Sequence, residues 1–309
     1  MLRITEEQVR TALPMLAAIE AVEEAFKKLA DGSAINHPRR RVILPTGSAL
    51  HYMAAGTPKY FGLKAYSTNP KSGAHFTVLL YHSRDGIPVA EIEANHLGQI
   101  RTGAASGVAT KYLARENSSV LGVIGSGFQA EAQVEAVAAV RSIREVRVWS
   151  RNADKREEFA RRLAEQTQVK IQAADTARDA VAGADIVVTA TNAKEPVLEA
   201  DWVAPGTHIN AVGSNQIGKR ELPTELVYGK ADLVAVDSVE QSKMESGDLM
   251  IPLKEDGGLG YRAVEFGDIV SGRLAGRTND NEITIFKSNG LAVEDVAVAG
   301  YIVDVGIYS

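Results

Sequence analysis

A short glycine-rich segment is the first feature of the sequence that could carry chemistry. It reads Gly125-Ser126-Gly127-Phe128-Gln129-Ala130 and fits the pattern G-x-G-x-x-A. The apolar run VLGVI precedes it and the helical pattern EAQVEAVAAV follows it, which is the context of a dinucleotide-binding loop. In such a loop Gly125 makes the tight turn, Gly127 lets the backbone approach a pyrophosphate, and Ala130 allows close helix–strand packing. The alternative is a glycine-rich turn without a ligand.

The end of the next predicted strand bears on the choice of nucleotide. About 20 residues beyond the glycines, an NAD-dependent enzyme usually carries an acidic residue for the ribose hydroxyls. This chain has Trp149-Ser150-Arg151-Asn152 there. Arg151 could pair with a 2′-phosphate, and Ser150 and Asn152 could donate further hydrogen bonds to it. We therefore expect NADPH as the preferred cofactor, with NADH allowed; the alternative is that Arg151 is a solvated surface cation.

Three basic residues of the N-terminal half could orient an anionic substrate. Arg40 lies in HPRRRVILP, Lys64 in FGLKAYS, and Arg101 in the first turns of the helical segment LGQIRTGAASG. A cation near a helix start is unfavourable for the helix dipole, so Arg101 suggests an anionic partner. Two or three such groups around one carboxylate would hold an amino or imino acid. Taken singly, each residue is better explained by a structural role: a solvated arginine run, a surface lysine, or a structural ion pair.

These residues lie in two regions with different patterns. Residues 38–94 contain short strand-like runs without helices between them, which indicates a largely antiparallel sheet. From about residue 119, short apolar strands alternate with helical segments, which indicates a doubly wound parallel sheet. The final apolar segment LAVEDVAVAGYIVDVG is predicted to be a helix, and its pattern allows it to pack on either region.

The composition excludes several classes of function. The chain has 309 residues, enough for about two domains. It contains no cysteine, which excludes disulfides, thiolate metal sites and a cysteine nucleophile, and its six histidines show no metal-ligand spacing. Its 34 basic and 39 acidic residues give a net charge of −5, so we expect no nucleic-acid partner.

Targeting signals are not apparent in the sequence. No apolar run approaches the ~20 residues of a membrane helix. The start MLRITEEQVR lacks the apolar core of a signal peptide. We therefore expect a cytoplasmic protein without a membrane partner.

An ordered set of motifs resembles the ornithine cyclodeaminase/mu-crystallin family over nearly the whole chain. The motifs are HPRRRVILP, HYMAA, GLKAYS, IRTGAASGVATKYLAR, IGSGFQA, VWSRN, GADIVVTAT, HINAVGSNQIGKREL, VDS, ESGDL and FKSNGLAVEDVA. The resemblance implies an α/β fold in which a Rossmann domain is joined to an α+β substrate and dimerisation domain. Because the last helix of the family returns to the first domain, we predict that domain at residues 1–115 and 291–309, the Rossmann domain at residues 116–290, and a homodimer.

The resemblance also implies roles for individual residues. Arg40, Lys64 and Arg101 would contact the carboxylate and polar groups of the substrate. The Gly125–Ala130 loop would contact the cofactor phosphates. The remaining implied cofactor contacts are Thr102 at the phosphates, Thr191 and Asn192 beside the cofactor, Val212 and Gly213 by the nicotinamide, and Ser288 and Leu291 in the segment that closes over it.

One departure from the family pattern favours a particular reaction. Asn215 stands where cyclodeaminases carry an aspartate that handles the substrate amino group, and an amide cannot accept a proton in its place. Reduction of a preformed imine needs less than cyclodeamination, which must first deprotonate and oxidise an amine. We therefore predict an NADPH-dependent reductase that converts Δ1-pyrroline-2-carboxylate or Δ1-piperideine-2-carboxylate to proline or pipecolate, with Lys64, Arg101 and Asn215 as catalytic residues.

Other functions stay open at this point. An ornithine cyclodeaminase and an amino-acid dehydrogenase acting on alanine or forming an opine use the same kind of hydride transfer. A protein that binds the nucleotide without catalysing a reaction is the alternative outside enzymes.

Overall fold

A computed structural model describes residues 1–167, 169–255 and 260–306. The first part of the chain contains β1 (Leu2–Ile4), α1 (Glu6–Ala12), α2 (Met15–Asp31), β2 (Ile35–Asn36), β3 (Arg40–Ile43), β4 (Ala49–Gly56), β5 (Tyr60–Asn69), β6 (Gly73–His82), β7 (Pro88–Glu93) and α3 (Asn95–Leu113). The central part contains β8 (Val120–Ile124), α4 (Phe128–Val140), β9 (Glu145–Trp149), α5 (Ala153–Gln166), β10 (Lys170–Ala173), α6 (Ala177–Val181), β11 (Ile186–Thr189), β12 (His208–Ala211) and β13 (Leu233–Val236). The last part contains α7 (Val239–Glu245), α8 (Gly247–Glu255), β14 (Val264–Glu265), α9 (Phe266–Val270), β15 (Thr284–Lys287) and α10 (Ala292–Val305).

The contacts divide the chain into two compact units. The first unit comprises Met1–Ala105 and the chain from Gly290 onward, and the second comprises Ser106–Asn289. The division falls inside α3, ten residues before the boundary predicted at 115/116, because α3 is continuous and its residues belong partly to each unit. Residues 168, 256–259 and 307–309, which fall inside the predicted domains, lie outside the described residues.

The first unit is built on a mixed, largely antiparallel sheet. Its strand order is β1-β7-β6-β5-β4-β2, with β3 also paired to β4, and β1 runs parallel to β7. The C-terminal helix α10 packs on β4, β5 and β6 and against α2. α2 ends where Gly32 adopts the left-handed conformation (φ 79°), which favours glycine.

The register of this sheet decides which side chains share a face with Lys64. Lys64 pairs with Met53, and Arg40 pairs with Tyr52. Tyr52 and Met53 are neighbours in β4, so their side chains point to opposite faces of the sheet. Arg40 therefore lies on the face opposite Lys64.

The second unit is a doubly wound parallel sheet, as predicted. Its strand order is β10-β9-β8-β11-β12-β15-β13-β14. Along β11, Ile186 and Val188 belong to one buried apolar cluster and Val187 belongs to another. Both faces of the strand are therefore covered, which explains its continuous apolar sequence.

Among the described residues, no helix combines the length and the apolar character that a bilayer requires.

Candidate active site

The predicted dinucleotide loop has the backbone of an anion site. Gly125 connects β8 to the loop with φ 119°, and a Cβ there would collide with the carbonyl oxygen of Ala190. Gly127 is the N-cap of α4, no side chain caps this helix, and a Cβ on Gly127 would meet no atom within 4 Å. Because the first N–H groups of a helix bind anions, the loop and the open space at Gly127 fit a pyrophosphate.

The other loop residues surround this helix start. Ser126 Oγ lies 2.8 Å from Ser150 Oγ, which ties the loop to the end of β9. Phe128 is exposed, Gln129 is half-buried, and Ala130 is fully buried in the apolar core. The buried methyl group of Ala130 is the close helix–strand contact that the sequence predicted.

The segment after β9 presents an exposed arginine beside two partly engaged polar groups. Arg151 is exposed. Asn152 caps α5, because its side-chain oxygen accepts from the Lys155 N–H at 2.9 Å. Ser150 Oγ donates to the backbone oxygen of Asn152 at 3.2 Å. Arg151 and the amide NH₂ of Asn152 therefore stay available for a ribose phosphate.

Reversing the charge at Arg151 tests the choice of nucleotide. In Arg151→Glu, we expect kcat/KM with NADPH to fall about tenfold or more, because a charge-assisted hydrogen bond is lost and a repulsive charge is introduced. Activity with NADH should rise relative to NADPH. Arg144→Glu is the matched control, since exposed Arg144 precedes the opposite end of the same strand. Unchanged kinetics with both nucleotides in Arg151→Glu would reject the NADPH assignment.

The residues predicted to lie beside the cofactor and its nicotinamide follow two adjacent strands. Thr191 follows β11, and its N–H and hydroxyl both donate to Glu221 Oε1 at 2.7 Å. Gly213 follows β12, and its N–H donates to Glu221 Oε2 at 2.8 Å. Asn192 is exposed and Val212 is half-buried. The backbone N–H groups of Thr191 and Gly213 are thus already occupied, so they are not free donors for a cofactor.

Three other predicted residues are buried within their own units. Thr102 Oγ donates to the Gly98 carbonyl inside α3 at 2.7 Å. Ser288 Oγ lies 3.4 Å from Asp237. Leu291 is fully buried at the start of α10. Asn215 follows β12 in the second unit and is half-buried.

A buried cluster of charges in the first unit contains two of the three predicted cations. Lys64 Nζ donates to Asp295 Oδ1 at 2.6 Å. Arg101 Nε donates to the same oxygen at 3.1 Å, and Arg101 NH1 donates to Glu294 at 2.8 Å. The two carboxylates lie in the first turn of α10, where negative charge is favourable for the helix dipole.

Arg39 is the third cation near this cluster, in place of Arg40. Arg39 is buried and donates to the Gly290 carbonyl at 3.2 Å, and its charge lowers the pKa of Lys64. The same Gly290 packs directly against the Arg101 guanidinium. The convergence predicted for Arg40 is wrong, because the strand register turns its exposed side chain to the opposite face.

Electrostatics sets different protonation behaviour for Lys64 and Arg101. Burial lowers the pKa of Lys64 to about 8, with Arg101 and Arg39 acting in the same direction and Asp295 opposing them. Burial also disfavours the charged form of Arg101, but Asp295 and Glu294 outweigh it and raise its pKa. Arg101 is therefore permanently charged, whereas Lys64 can release a proton near neutral pH.

Two carboxylates and three cations, together called the cation cluster, meet in this buried region. Lys64 and Arg101 pair with Asp295, and Arg101 also pairs with Glu294. Arg39 lies close enough for its charge to lower the pKa of Lys64. All five side chains are less than a tenth exposed. Buried cationic groups held in place by carboxylates suit an anionic ligand, such as the carboxylate of a small acid.

The sequence patterns did not point to either carboxylate of this cluster. Glu294 and Asp295 stand in an otherwise apolar helical segment, LAVEDVAVAGYIV. Charged residues are almost never fully buried unless they are paired, so adjacent carboxylates in a helix predicted to be buried were an available signal.

Comparisons with known proteins agree with this architecture. The model of the ornithine cyclodeaminase/mu-crystallin family matches residues 2–306. A Delta(1)-pyrroline-2-carboxylate reductase of Bacillus thuringiensis subsp. konkukian is 42% identical over 258 residues, which cover 80% of this chain and 78% of that protein.

Two solved structures superpose closely. The Thermococcus litoralis Delta(1)-pyrroline-2-carboxylate reductase, in complex with NADH and L-proline, gives a TM-score of 0.93 at 36% identity, covering 98% of this chain and 97% of that chain. An archaeal alanine dehydrogenase dimer with bound NAD gives a TM-score of 0.91 at 35% identity, covering 98% and 95%. With a family match over nearly its whole length, this chain belongs to the ornithine cyclodeaminase/mu-crystallin family.

Proposed function

We propose that the protein is an NAD(P)H-dependent reductase of cyclic ketimine carboxylates. Its substrate would be Δ1-pyrroline-2-carboxylate, reduced to L-proline, or the six-membered Δ1-piperideine-2-carboxylate, reduced to L-pipecolate. The observation that carries the proposal is the buried cluster of Lys64, Arg101 and Arg39, in which Asp295 and Glu294 hold Lys64 and Arg101 in place. Relatives named as pyrroline-2-carboxylate reductases support the same reaction.

Each cation of the cluster has a distinct part in this reaction. Arg101, held by Asp295 and Glu294, would bind the substrate carboxylate with a charge that does not titrate. Arg39 would bind the same carboxylate, which is the role that the family resemblance implied for Arg40. Lys64 Nζ, fixed by Asp295, would donate a proton to the imine nitrogen. When bound, the reduced nicotinamide supplies the hydride that the imine carbon accepts.

Reduction of the two imines is the direct test. The purified protein should oxidise NADPH when either the five- or the six-membered imine is added. The amount of proline or pipecolate formed should equal the amount of NADPH consumed. The ratio of kcat/KM values for the two imines identifies the preferred ring. Absence of NADPH and NADH oxidation with both imines would reject the proposed function.

An alanine dehydrogenase is the second candidate. The close superposition on an archaeal alanine dehydrogenase favours it. Alanine-dependent reduction of NAD⁺ or NADP⁺, with pyruvate as product, would distinguish it from imine reduction. Ornithine is the corresponding test for a cyclodeaminase, a reaction that Asn215 disfavours because its amide is not a base.

The proposal includes a homodimer. An apolar patch of the sheet face opposite Lys64 comprises Val42, Leu50 and Tyr52, which share that face through their pairing and are each at least 40% exposed. Exposed apolar patches of this kind mark protein interfaces. The archaeal relative is named as a dimer. A cytoplasmic location belongs to the same proposal, because the enzyme would draw on the free nicotinamide nucleotides of the cytoplasm.

Light scattering tests the homodimer. We expect the wild-type protein to have twice the mass of the chain and Leu50→Lys to shift toward the monomer, because it places a charge in the apolar patch. Leu16→Lys, which alters an exposed apolar residue of α2, is the matched control and should stay dimeric. A monomeric wild-type protein at micromolar concentration would contradict this part of the proposal.

A further inference from the structure

A buried carboxylate joins the loops that follow β11 and β12. Glu221 is fully buried. Its Oε1 accepts from the N–H and hydroxyl of Thr191, and its Oε2 accepts from the Thr189 hydroxyl at 2.9 Å and the Gly213 N–H at 2.8 Å. A carboxylate offers about four acceptor sites, so these four bonds saturate it. Glu221 is thus a structural link between two loops and not a group that can take a substrate proton.

Two further buried charges hold this link in place. Asp248 Oδ1 accepts from the Glu221 and Leu222 N–H groups at 2.6 and 2.9 Å. Asp248 Oδ2 lies 3.3 Å from Lys287 Nζ. Lys287 in turn donates to the carbonyl oxygens of Ala211 and Ser214, at 3.2 and 2.5 Å. The loop after β12 is therefore held through its N–H group by Glu221 and through its carbonyl groups by Lys287.

The loops joined by Glu221 also touch each other through backbone atoms. A Cβ on Gly213 would collide with the carbonyl oxygen of Thr191, and a Cβ on Gly125 would collide with that of Ala190. The loops after β8, β11 and β12 thus touch through their backbones at Gly125 and Gly213, with the Glu221 carboxylate beside the second contact. A displacement of the loop held by Glu221 would be passed to the glycine-rich loop, because the packed backbones leave no room to absorb it.

The arrangement is costly, which argues against a role in stability alone. Glu221, Asp248 and Lys287 are buried with two negative charges and one positive charge. Burial, followed by the nearby Asp248, raises the pKa of Glu221, while Lys287 and the hydrogen bonds from Thr191 oppose this rise. Apolar side chains of similar volume are often as stable as a buried charge group, or more so. What the charges provide here is a fixed geometry of three loops.

We propose that Glu221 is a positioning residue for hydride transfer. Its carboxylate sets the spacing of residues 190–193 and 212–214, the two loops that would border the nicotinamide. This inference rests on the proposed function for the identity of the reaction. It adds that the alignment of the nicotinamide depends on a side chain that contacts neither substrate nor cofactor.

The substitution Glu221→Gln tests the proposal with little change of shape. A glutamine has one acceptor oxygen and an NH₂ group that cannot accept from the Gly213 or Thr191 N–H, so one loop must be released. We expect kcat to fall about 10²-fold, the size of effect caused by a misplacement of about 1 Å. The KM for the imine should stay near the wild-type value, because the cation cluster belongs to the first unit. With 4-deuterated NADPH, the isotope effect on kcat should increase as hydride transfer becomes rate-limiting.

Asp185→Asn is the matched control for a purely structural loss. Asp185 accepts from the Ser119 and Val120 N–H groups and pairs with Arg115, at the opposite end of β8. This variant should lower the Tm while kcat per folded molecule and the isotope effect stay at wild-type values. Thr189→Val removes one hydrogen bond to Glu221 and serves as a second variant if Glu221→Gln does not fold. We expect it to show the fall in kcat and the larger isotope effect to a smaller extent.

Amide hydrogen exchange separates this inference from the proposed function. In Glu221→Gln, peptides containing Thr191 and Gly213 should exchange faster and NADPH should bind more weakly, whereas both should be unchanged in Asp185→Asn. If the wild-type protein reduces no imine, the proposed function fails, and exchange and NADPH affinity still decide the role of Glu221. The inference would be overturned by a Glu221→Gln variant that has a lower Tm but a wild-type kcat, isotope effect and rate of amide exchange.

Discussion

Arg101→Met is expected to lower both the stability and the activity of the protein more than any other single change in the cation cluster. Arg101 bonds to Asp295 and Glu294, and all three side chains are buried. Removing one partner of a buried ion pair leaves uncompensated charge and costs about 3–5 kcal/mol. The substrate would lose its non-titrating cation at the same time, so the KM for the imine should rise along with the loss of stability.

Urea unfolding at pH 7 measures the expected loss of stability. Imine reduction with NADPH measures the expected rise in KM.

Two further variants serve as comparisons for Arg101. Arg161→Met removes an exposed arginine that pairs with Glu165, and its effect should stay within about 0.5 kcal/mol. Arg101→Lys keeps the positive charge, but a lysine has no planar guanidinium group to bond both carboxylates. This variant should therefore recover only part of the stability and activity lost in Arg101→Met. A loss of stability in Arg101→Met as small as that in Arg161→Met would contradict the electrostatic explanation.

Lys64→Met is expected to remove the proton donor of the reaction. General acid catalysis contributes about 10²–10⁴-fold to rates, so kcat for imine reduction should fall by that factor. In the wild-type protein the pKa of Lys64 is lowered to about 8, chiefly by burial. Reduction requires the protonated lysine and should decline as the pH rises through about 8. Oxidation of L-proline requires the neutral lysine and should increase over the same range.

The same pKa shift predicts an effect of pH on stability. The folded state releases the Lys64 proton near pH 8, whereas an unperturbed lysine holds it to about pH 10.5. Between these values the unfolded chain binds more protons, so this group raises the free energy of unfolding as the pH increases. In Lys64→Met this increase should be absent.

Lys64→Arg separates proton donation from charge. An arginine keeps the positive charge beside Asp295 but does not release a proton in this pH range. The variant should retain part of the substrate affinity and lose the pH dependence together with most of kcat. A Lys64→Arg variant with wild-type kcat and an unchanged pH profile would mean that Lys64 acts by charge alone.

The dinucleotide loop shows what local sequence patterns can predict. The turn at Gly125, the uncapped helix start at Gly127 and the buried Ala130 all agree with expectation. These properties depend on residues that are neighbours in the chain, such as a positive φ that favours glycine and N–H groups at a helix start. We predict that the choice between the two nucleotides depends on Arg151, which is also a local feature of the sequence.

The arginine run at the start of β3 shows the limit of such patterns. Arg39, Arg40 and Arg41 are equivalent by composition, and the residue expected from the sequence was Arg40. The pairing of β3 with β4 decides the face of each one, and a shift of one residue would exchange the faces. Nothing within HPRRRVILP encodes that pairing, because it depends on where the turn to β4 lies and on what the sheet buries.

By itself, the sequence determined the two kinds of sheet, the nucleotide loop and the family. Strand–helix alternation, apolar periodicity and glycine positions reflect forces between residues a few positions apart. The motifs of the family can be recognised by their order in the sequence, without information on tertiary contacts. Only the tertiary structure decided that Lys64 and Arg101 meet carboxylates at the far end of the chain, that Arg39 and not Arg40 lies beside them, and that Glu221 joins two loops. Those partners are separated by long stretches of sequence, so only strand register and helix packing bring them together. Once they are together, burial and the neighbouring charges change the pKa values of Lys64 and Arg101.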